Sequence, residues 1–170
     1  SSDLAVATKL IARRMNVDQK LLEEYFIAGL IHDIGKVLIN NFFPEEMNRV
    51  LEEASKREEP IIDIEKRMFG LTHEEIGIAI GKKWRFANSL LYSVGRHHQP
   101  VLEGASAVFS MSVCVADTFV KSLEIGFSGN YRVEPVPEEV WTALGLNEEG
   151  VFAALSTIGN EIEKAVLFLK

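Results

Sequence analysis

The segment from Ala28 to Ile39 constrains this chain more than any other, because it is apolar on nearly every face of a helix. It lies inside a longer stretch, from about Gln19 to Asn40, whose apolar residues keep helical spacing. A helix without a polar face belongs at the centre of a bundle. Three polar residues, His32, Asp33 and Lys36, interrupt the segment, and each needs a partner if it is buried.

Helical spacing continues along almost the whole chain, with caps and stops between the periodic segments. There is no strand alternation, internal repeat or evident linker. The sequence therefore predicts an all-α fold, one domain over residues 1–170 with about seven to nine helices. A loop is expected over about 127–137, and helices over about 3–15, 19–40, 44–57, 61–69, 73–84, 88–97, 105–125, 137–144 and 148–169.

Charge and composition exclude several classes of protein. The formal net charge of the 170 residues is -7, which argues against nucleic-acid binding as the main function. No apolar run reaches the ~18–20 residues that a membrane span needs. The single cysteine, Cys114, lies among apolar neighbours and is expected to be a buried, inert thiol. A reducing cytoplasm is consistent with such a chain.

The His32-Asp33 doublet has two interpretations. Lys36 lies three residues after Asp33 and could pair with it on the same helix face, which would leave His32 as a satisfied core histidine. Alternatively, the doublet binds a metal ion, because a buried carboxylate needs a cation or a charged partner.

Asp117 presents the same choice in the apolar centre of the long helix predicted over about 105–125. Lys121 is one turn later, so the two could form an ion pair at the edge of the bundle. Asp117 could instead be a second buried carboxylate that faces Asp33.

Three further histidines complete the candidate site. Thr72 and Glu75 fit a capping box, which makes His73 the first residue of a helix and favours a neutral ring. His97 and His98 close a helix ahead of Pro100. Nitrogen and oxygen donors of this kind suit Mn, Fe or Zn better than Mg, and such ions activate water and stabilise phosphoryl groups.

The motifs resemble those of a known superfamily. The sequence from Gly29 to Lys36, GLIHDIGK, resembles the HDxGK core of HD-domain phosphohydrolases, HD-GYP phosphodiesterases of cyclic di-GMP and HDOD signalling domains. The segments FGLTHEEIG (69–77) and RHHQP (96–100), with Trp84 between them and Asp117 after them, resemble HDOD domains. A Gly-Tyr-Pro triplet typical of HD-GYP proteins is absent after His98.

The resemblance implies roles for six residues. In metal-binding HD proteins the ligands are a histidine on the first helix, the His-Asp doublet and a later aspartate. The doublet corresponds to His32 and Asp33, and the aspartate to Asp117. His73, His97 and His98 correspond to histidines that hold further metals in HD-GYP-like proteins. The first-helix histidine position falls near Ser2, which is a poor ligand.

Two functions from different classes follow from the resemblance. The first is a bacterial, catalytically degenerate signalling module that acts through partner domains or proteins. The second is a metal-dependent phosphohydrolase, in which Asp33 and Lys36 take part in catalysis and a divalent Fe, Mn, Zn or Ni ion is the cofactor. Its ligand would be a nucleotide or another phosphate compound. A vestigial site, whose polar residues satisfy one another, is a third interpretation. The chain is expected to be a fragment, or the C-terminal part, of a longer signalling protein.

Overall fold

The computed structural model describes residues 2–123 and 133–156, and within these residues the chain is helical, with no strand. A short 3-10 turn (Gln19–Leu21) precedes the second helix, and residues 148–156 are helical as well. The remaining helices are α1 (Ser2–Arg14), α2 (Leu22–Ile31), α3 (Ile34–Phe42), α4 (Pro44–Arg57), α5 (Ile61–Phe69), α6 (His73–Lys83), α7 (Asn88–Arg96), α8 (Ala107–Ser122) and α9 (Glu138–Leu144). The predicted all-α fold is confirmed.

The continuous helix predicted from Gln19 to Asn40 is wrong, because the chain breaks at His32 and Asp33. Asp33 has φ -96° and ψ 21°, outside the helical region, and precedes α3 as its N-cap. The new direction brings Gly35 against the backbone of His73. Apolar residues keep helical spacing on both sides of the polar His32-Asp33 doublet, so periodicity gave no sign of the break.

Other helix ends differ less from the prediction. α7 ends at Arg96, one residue before His97, and α8 spans Ala107–Ser122 rather than about 105–125. Residues 133–137 carry no helix, as expected for the predicted loop. The rest of that loop and the last part of the helix predicted over 148–169 lie outside the described residues.

Two apolar clusters form the core. The larger one joins α1, α2, α8, α9 and residues 148–156, and α8 supplies its most buried side chains. The smaller one comes from the end of α3 and from α4 and α5, through Ile39, Met47, Val50, Ala54, Ile61 and Ile64. α6 and α7 lie between the clusters, since α6 packs on α3 and α7, and α7 also packs on α8. Among the described helices, none is by itself both long and apolar enough to cross a membrane.

The start of α6 is fixed by the predicted capping box. The Thr72 side chain accepts a hydrogen bond from the backbone N–H of Glu75 (3.2 Å), and the Glu75 side chain accepts one from the N–H of Thr72 (2.8 Å). This cap makes His73 the first residue of the helix, as predicted.

Thr72→Ala is expected to lower the free energy of unfolding by about 1 kcal/mol, because the N–H of Glu75 loses its acceptor. Urea denaturation followed by circular dichroism measures the change. Thr142→Ala, at an exposed position inside α9, is the matched control and should change stability by less than about 0.5 kcal/mol. Equal losses in the two variants would contradict a stabilising role for the cap.

Candidate metal centre

Four histidine rings and one carboxylate converge from three places in the fold. His32 and Asp33 form the junction between α2 and α3, His73 begins α6, and His97 and His98 directly follow α7. The Nε2 atom of His73 lies 3.4 Å from Nε2 of His97 and 3.1 Å from Nε2 of His98. His32, His73 and His97 are buried. The structure therefore brings together all four histidines that the sequence singled out.

Asp33 is the centre of this group. Its Oδ2 atom accepts a hydrogen bond from Lys36 Nζ at 2.9 Å and lies 3.2 Å from His32 Nε2. Its Oδ1 atom lies 3.5 Å from Nε2 of both His73 and His97, and it is buried without a hydrogen-bond partner. Burial opposes ionisation of Asp33, but the charges of His32 and Lys36 outweigh it and hold its pKa well below the usual value.

Each buried ring is held through Nδ1. The Nδ1 atom of His32 lies 2.8 Å from the carbonyl oxygen of Gly29, and that of His97 lies 3.0 Å from the carbonyl oxygen of Ser93. A carbonyl can only accept, so in both rings Nδ1 carries the proton when the ring is neutral. The free lone pair is then on Nε2, the atom that faces Asp33.

The charge states of the His73 and His98 rings suit metal binding. Burial, with the nearby charge of Lys36, lowers the pKa of His73 well below its usual value. Burial, with His97 and His73 beside it, does the same for His98. Both rings are therefore neutral near pH 7, as a metal ligand must be.

These residues fit a transition metal ion. Within the described residues there are two groups, and each offers three ligand atoms that are close enough to share an ion. One group is His73, His97 and His98, and the other is His32, Asp33 and His97. Imidazole nitrogen with one carboxylate oxygen suits Zn, Fe, Mn or Ni. The buried, unpartnered Oδ1 of Asp33 lacks the positive charge or donor that such an ion would provide.

Lys36 and Asp117 both have the ion-pair partners that local spacing predicted. Lys36 is buried and bonded to Asp33. Asp117 accepts a hydrogen bond from Lys121, and both side chains are almost fully buried. Asp117 belongs to neither group of possible ligands among the described residues. Burial lowers the pKa of His32, but the charge of Asp33 and the smaller effect of the Asp117 charge outweigh burial. The pKa of His32 is therefore raised above its usual value.

Sequence reasoning missed two glutamates. Glu65 is fully buried on α5, and its Oε2 atom lies 2.8 Å from the backbone N and 2.5 Å from Nδ1 of His73. Burial raises its pKa to about 7. Glu74 is also buried and accepts a hydrogen bond from the N–H of His98 (3.0 Å). Glu65 follows Ile61 by four residues, so its place on the apolar face of α5 was a usable signal.

A cleft of about 230 Å³ opens beside His97 and His98. Asp117, Lys121, Glu134 and Pro135 are among its other lining residues. The cleft therefore gives a small polar molecule access to one side of the histidine group.

Ser2, near which the first-helix histidine of metal-binding HD proteins would fall, is exposed at the start of α1.

Comparison with known proteins gives one family and several relatives. The sequence model of the HDOD domain family matches residues 1–100 of this chain. An uncharacterized protein of Treponema pallidum (strain Nichols) is 28% identical over 81 residues, which are 48% of this chain and 16% of that protein.

Three solved structures share the fold. An HDOD domain protein with unknown function from Geobacter sulfurreducens has a TM-score of 0.77 at 24% identity, covering 96% of this chain and 57% of that one. A candidate signal transduction protein from Marinobacter aquaeolei VT8 has a TM-score of 0.80 at 17% identity, covering 98% of this chain and 37% of that one. A candidate phosphohydrolase from Shewanella amazonensis SB2B has a TM-score of 0.69 at 18% identity, covering 92% of this chain and 57% of that one. This chain thus spans less than two thirds of each relative.

Proposed function

Because this chain belongs to the HDOD domain family, we propose that it is a regulatory signal-transduction module that holds a divalent transition metal ion and does not turn over phosphoesters. It acts through partner domains or proteins. Membership of a fold family does not carry an activity by itself, so the proposal depends on the site.

The pairing of Asp117 with Lys121 is the observation that carries the non-catalytic part. In metal-dependent HD hydrolases, which the chain resembles, the corresponding aspartate is a ligand. Here a buried lysine neutralises it instead. The exposed Ser2 stands near the place of the first-helix histidine. Of the four hydrolase ligand positions, the first-helix position falls near Ser2, and the aspartate position, Asp117, is paired with a lysine. These two differences support a site that binds an ion without catalysis.

The histidine group supports the metal-binding part. A bound ion would supply a positive charge that links α3, α6 and α7 through Asp33, His73 and His97. The chain's own residues prepare for this, since carbonyl oxygens hold two of the rings by Nδ1, and the charges of His32 and Lys36 hold the pKa of Asp33 low. A signal that changes the packing of these helices would then change the affinity for the ion, and binding of the ion would change the packing.

A metal-dependent phosphohydrolase is the second candidate. The cleft beside His97 and His98 and the buried Lys36 favour it. The cleft would take a phosphoryl group of a nucleotide or phosphodiester. Lys36 is not among the residues that line the cleft, so it would offset part of the phosphoryl charge only if the group reached Asp33. In this case the Asp117–Lys121 pair would have to open to give Asp117 a catalytic role.

Elemental analysis of protein purified without chelator, together with a phosphodiester and nucleotide screen, separates the two functions. We expect about one or two transition metal ions per chain, since the described residues offer two ligand groups. We also expect no turnover at an enzyme-like rate.

His97→Ala should lose the metal, because His97 is in both groups, whereas Asp117→Asn should keep it. Metal-dependent turnover that Asp117→Asn abolishes would reject the regulatory proposal and favour the hydrolase. Wild-type protein without metal, even after incubation with Zn²⁺ or Mn²⁺, would reject the metal-binding part.

A further inference from the structure

We infer that Glu65 is the positioning residue that makes His73 a metal ligand, by holding the His73 ring with its Nδ1 protonated and its Nε2 free. This inference rests on the metal-binding part of the proposed function. Glu65 is fully buried and belongs to neither ligand group among the described residues, so it acts only through His73.

One oxygen of Glu65 contacts two nitrogens of the same residue. Its Oε2 lies 2.8 Å from the backbone N of His73 and 2.5 Å from Nδ1 of the ring. Both side chains are completely buried. The pair of hydrogen bonds fixes the position of the backbone and the rotation of the ring together. Nε2 of His73 then faces Asp33, His97 and His98 at 3.1–3.5 Å.

A purely structural role explains only half of this arrangement. Thr72 and Glu75 already cap α6, and the first N–H of the helix, that of His73, needs one further acceptor. Glu65 supplies that acceptor. The bond to Nδ1 adds nothing to the cap, but it sets which ring nitrogen is free, as outer carboxylates do for histidine ligands of metals.

The second oxygen of Glu65 indicates that a cation belongs near this pair. Oε1 is buried and has no hydrogen-bond partner, and Asp33 Oδ1, on the other side of the His73 ring, is in the same state. Two unsatisfied carboxylate oxygens in one buried region destabilise the protein unless a proton or a cation compensates them, and burial already raises the pKa of Glu65 to about 7. A metal ion held by His73 and Asp33 would supply positive charge to the same region.

Two variants divide the contributions of Glu65. Glu65→Gln keeps an acceptor oxygen for His73 but removes the charge. Glu65→Met removes both the acceptor and the charge at similar volume. Asp63→Asn, an exposed change of carboxylate to amide on the same helix, is the matched control.

Ring ¹⁵N chemical shifts of His73 in the metal-free protein report the tautomer, and titration with Zn²⁺ or Co²⁺ reports the affinity. We expect protonated Nδ1 in the wild type, in Asp63→Asn and in Glu65→Gln, and a mixture of tautomers in Glu65→Met. Affinity should fall by about 10- to 100-fold in Glu65→Met, less in Glu65→Gln and not in the control.

Each contrary result has a distinct meaning. Protonated Nε2 in the wild-type ring, or an unchanged tautomer in Glu65→Met, would overturn the positioning role. A lower affinity with an unchanged tautomer would overturn it as well, because Glu65 would then act by charge or folding alone. If the wild type shows protonated Nδ1 but binds neither ion, the metal-binding proposal fails and Glu65 only fixes the ring.

Discussion

Gly35→Ala is expected to destabilise the protein by about 3 kcal/mol or more, because no space exists for a methyl group at this position. A Cβ atom on Gly35 would lie 1.9 Å from the carbonyl oxygen of His73 and 2.7 Å from its carbonyl carbon. These are backbone atoms at the capped start of α6, so no side chain can rotate away. The variant must move α3 away from α6, which also separates Asp33 from His73.

Urea denaturation of the metal-free chain measures this loss. Gly95→Ala is the matched control, since the atoms nearest to its Cβ would belong to the Ile78 side chain, with Cδ1 at 2.2 Å and Cγ1 at 2.3 Å, and not to the backbone. Ile78 is half-buried and can adopt another rotamer, so the control should lose less than about 1 kcal/mol. Similar losses in the two variants would show that the α3–α6 contact is softer than the structure indicates.

Asp33→Ala is expected to abolish metal binding by the group of His32, Asp33 and His97, and to lower the free energy of unfolding by about 3 kcal/mol. That ion is lost because Asp33 supplies the only carboxylate of the group. Stability is lost because Lys36 is buried and hydrogen-bonded to Asp33, and its charge would lose that partner. The expected loss is at the lower end of the range for buried pairs, because 21% of the Asp33 side chain is exposed to solvent.

The double variant Asp33→Ala with Lys36→Met separates the two effects. It removes both charges, so we expect it to recover most of the lost stability, but not the ion of the group that contains Asp33. Denaturation of both variants and elemental analysis provide the test. If the double variant stays as unstable as the single one, the unpaired Lys36 charge does not explain the loss. If it binds metal as the wild type does, Asp33 is not a ligand.

Much of the fold is predictable because its signals are local. Pro44 starts α4, Gly70 ends α5 at φ 74°, and Thr72 caps α6. Each of these signals depends on residues within one turn of it. The break at His32 and Asp33 is different, since it is imposed by the contact of Gly35 with His73, 38 residues away in sequence. Helical periodicity cannot report such a contact.

The candidate site shows the same division between local and distant causes. The residue pattern, and then the resemblance, identified the four histidines and Asp33 as candidate ligands. Spacing alone identified the ion pairs Asp33–Lys36 and Asp117–Lys121 as one alternative. Glu65 was missed because its partner, His73, lies on the next helix and because an isolated glutamate in a charged helix usually faces solvent. Only the contact between Glu65 on α5 and His73 at the start of α6 gives it a role.

The separation of the core into two apolar clusters has a kinetic consequence. α3, α4 and α5 bury the smaller cluster, and α3 and α5 also carry the groups that support the site, Gly35 and Glu65. His97 and His98 follow α7, which packs on α8 of the larger cluster. Brief opening of the smaller cluster would therefore release one side of the site while the other stays folded. An ion could then exchange at the rate of this local opening, which is faster than the unfolding of the whole chain.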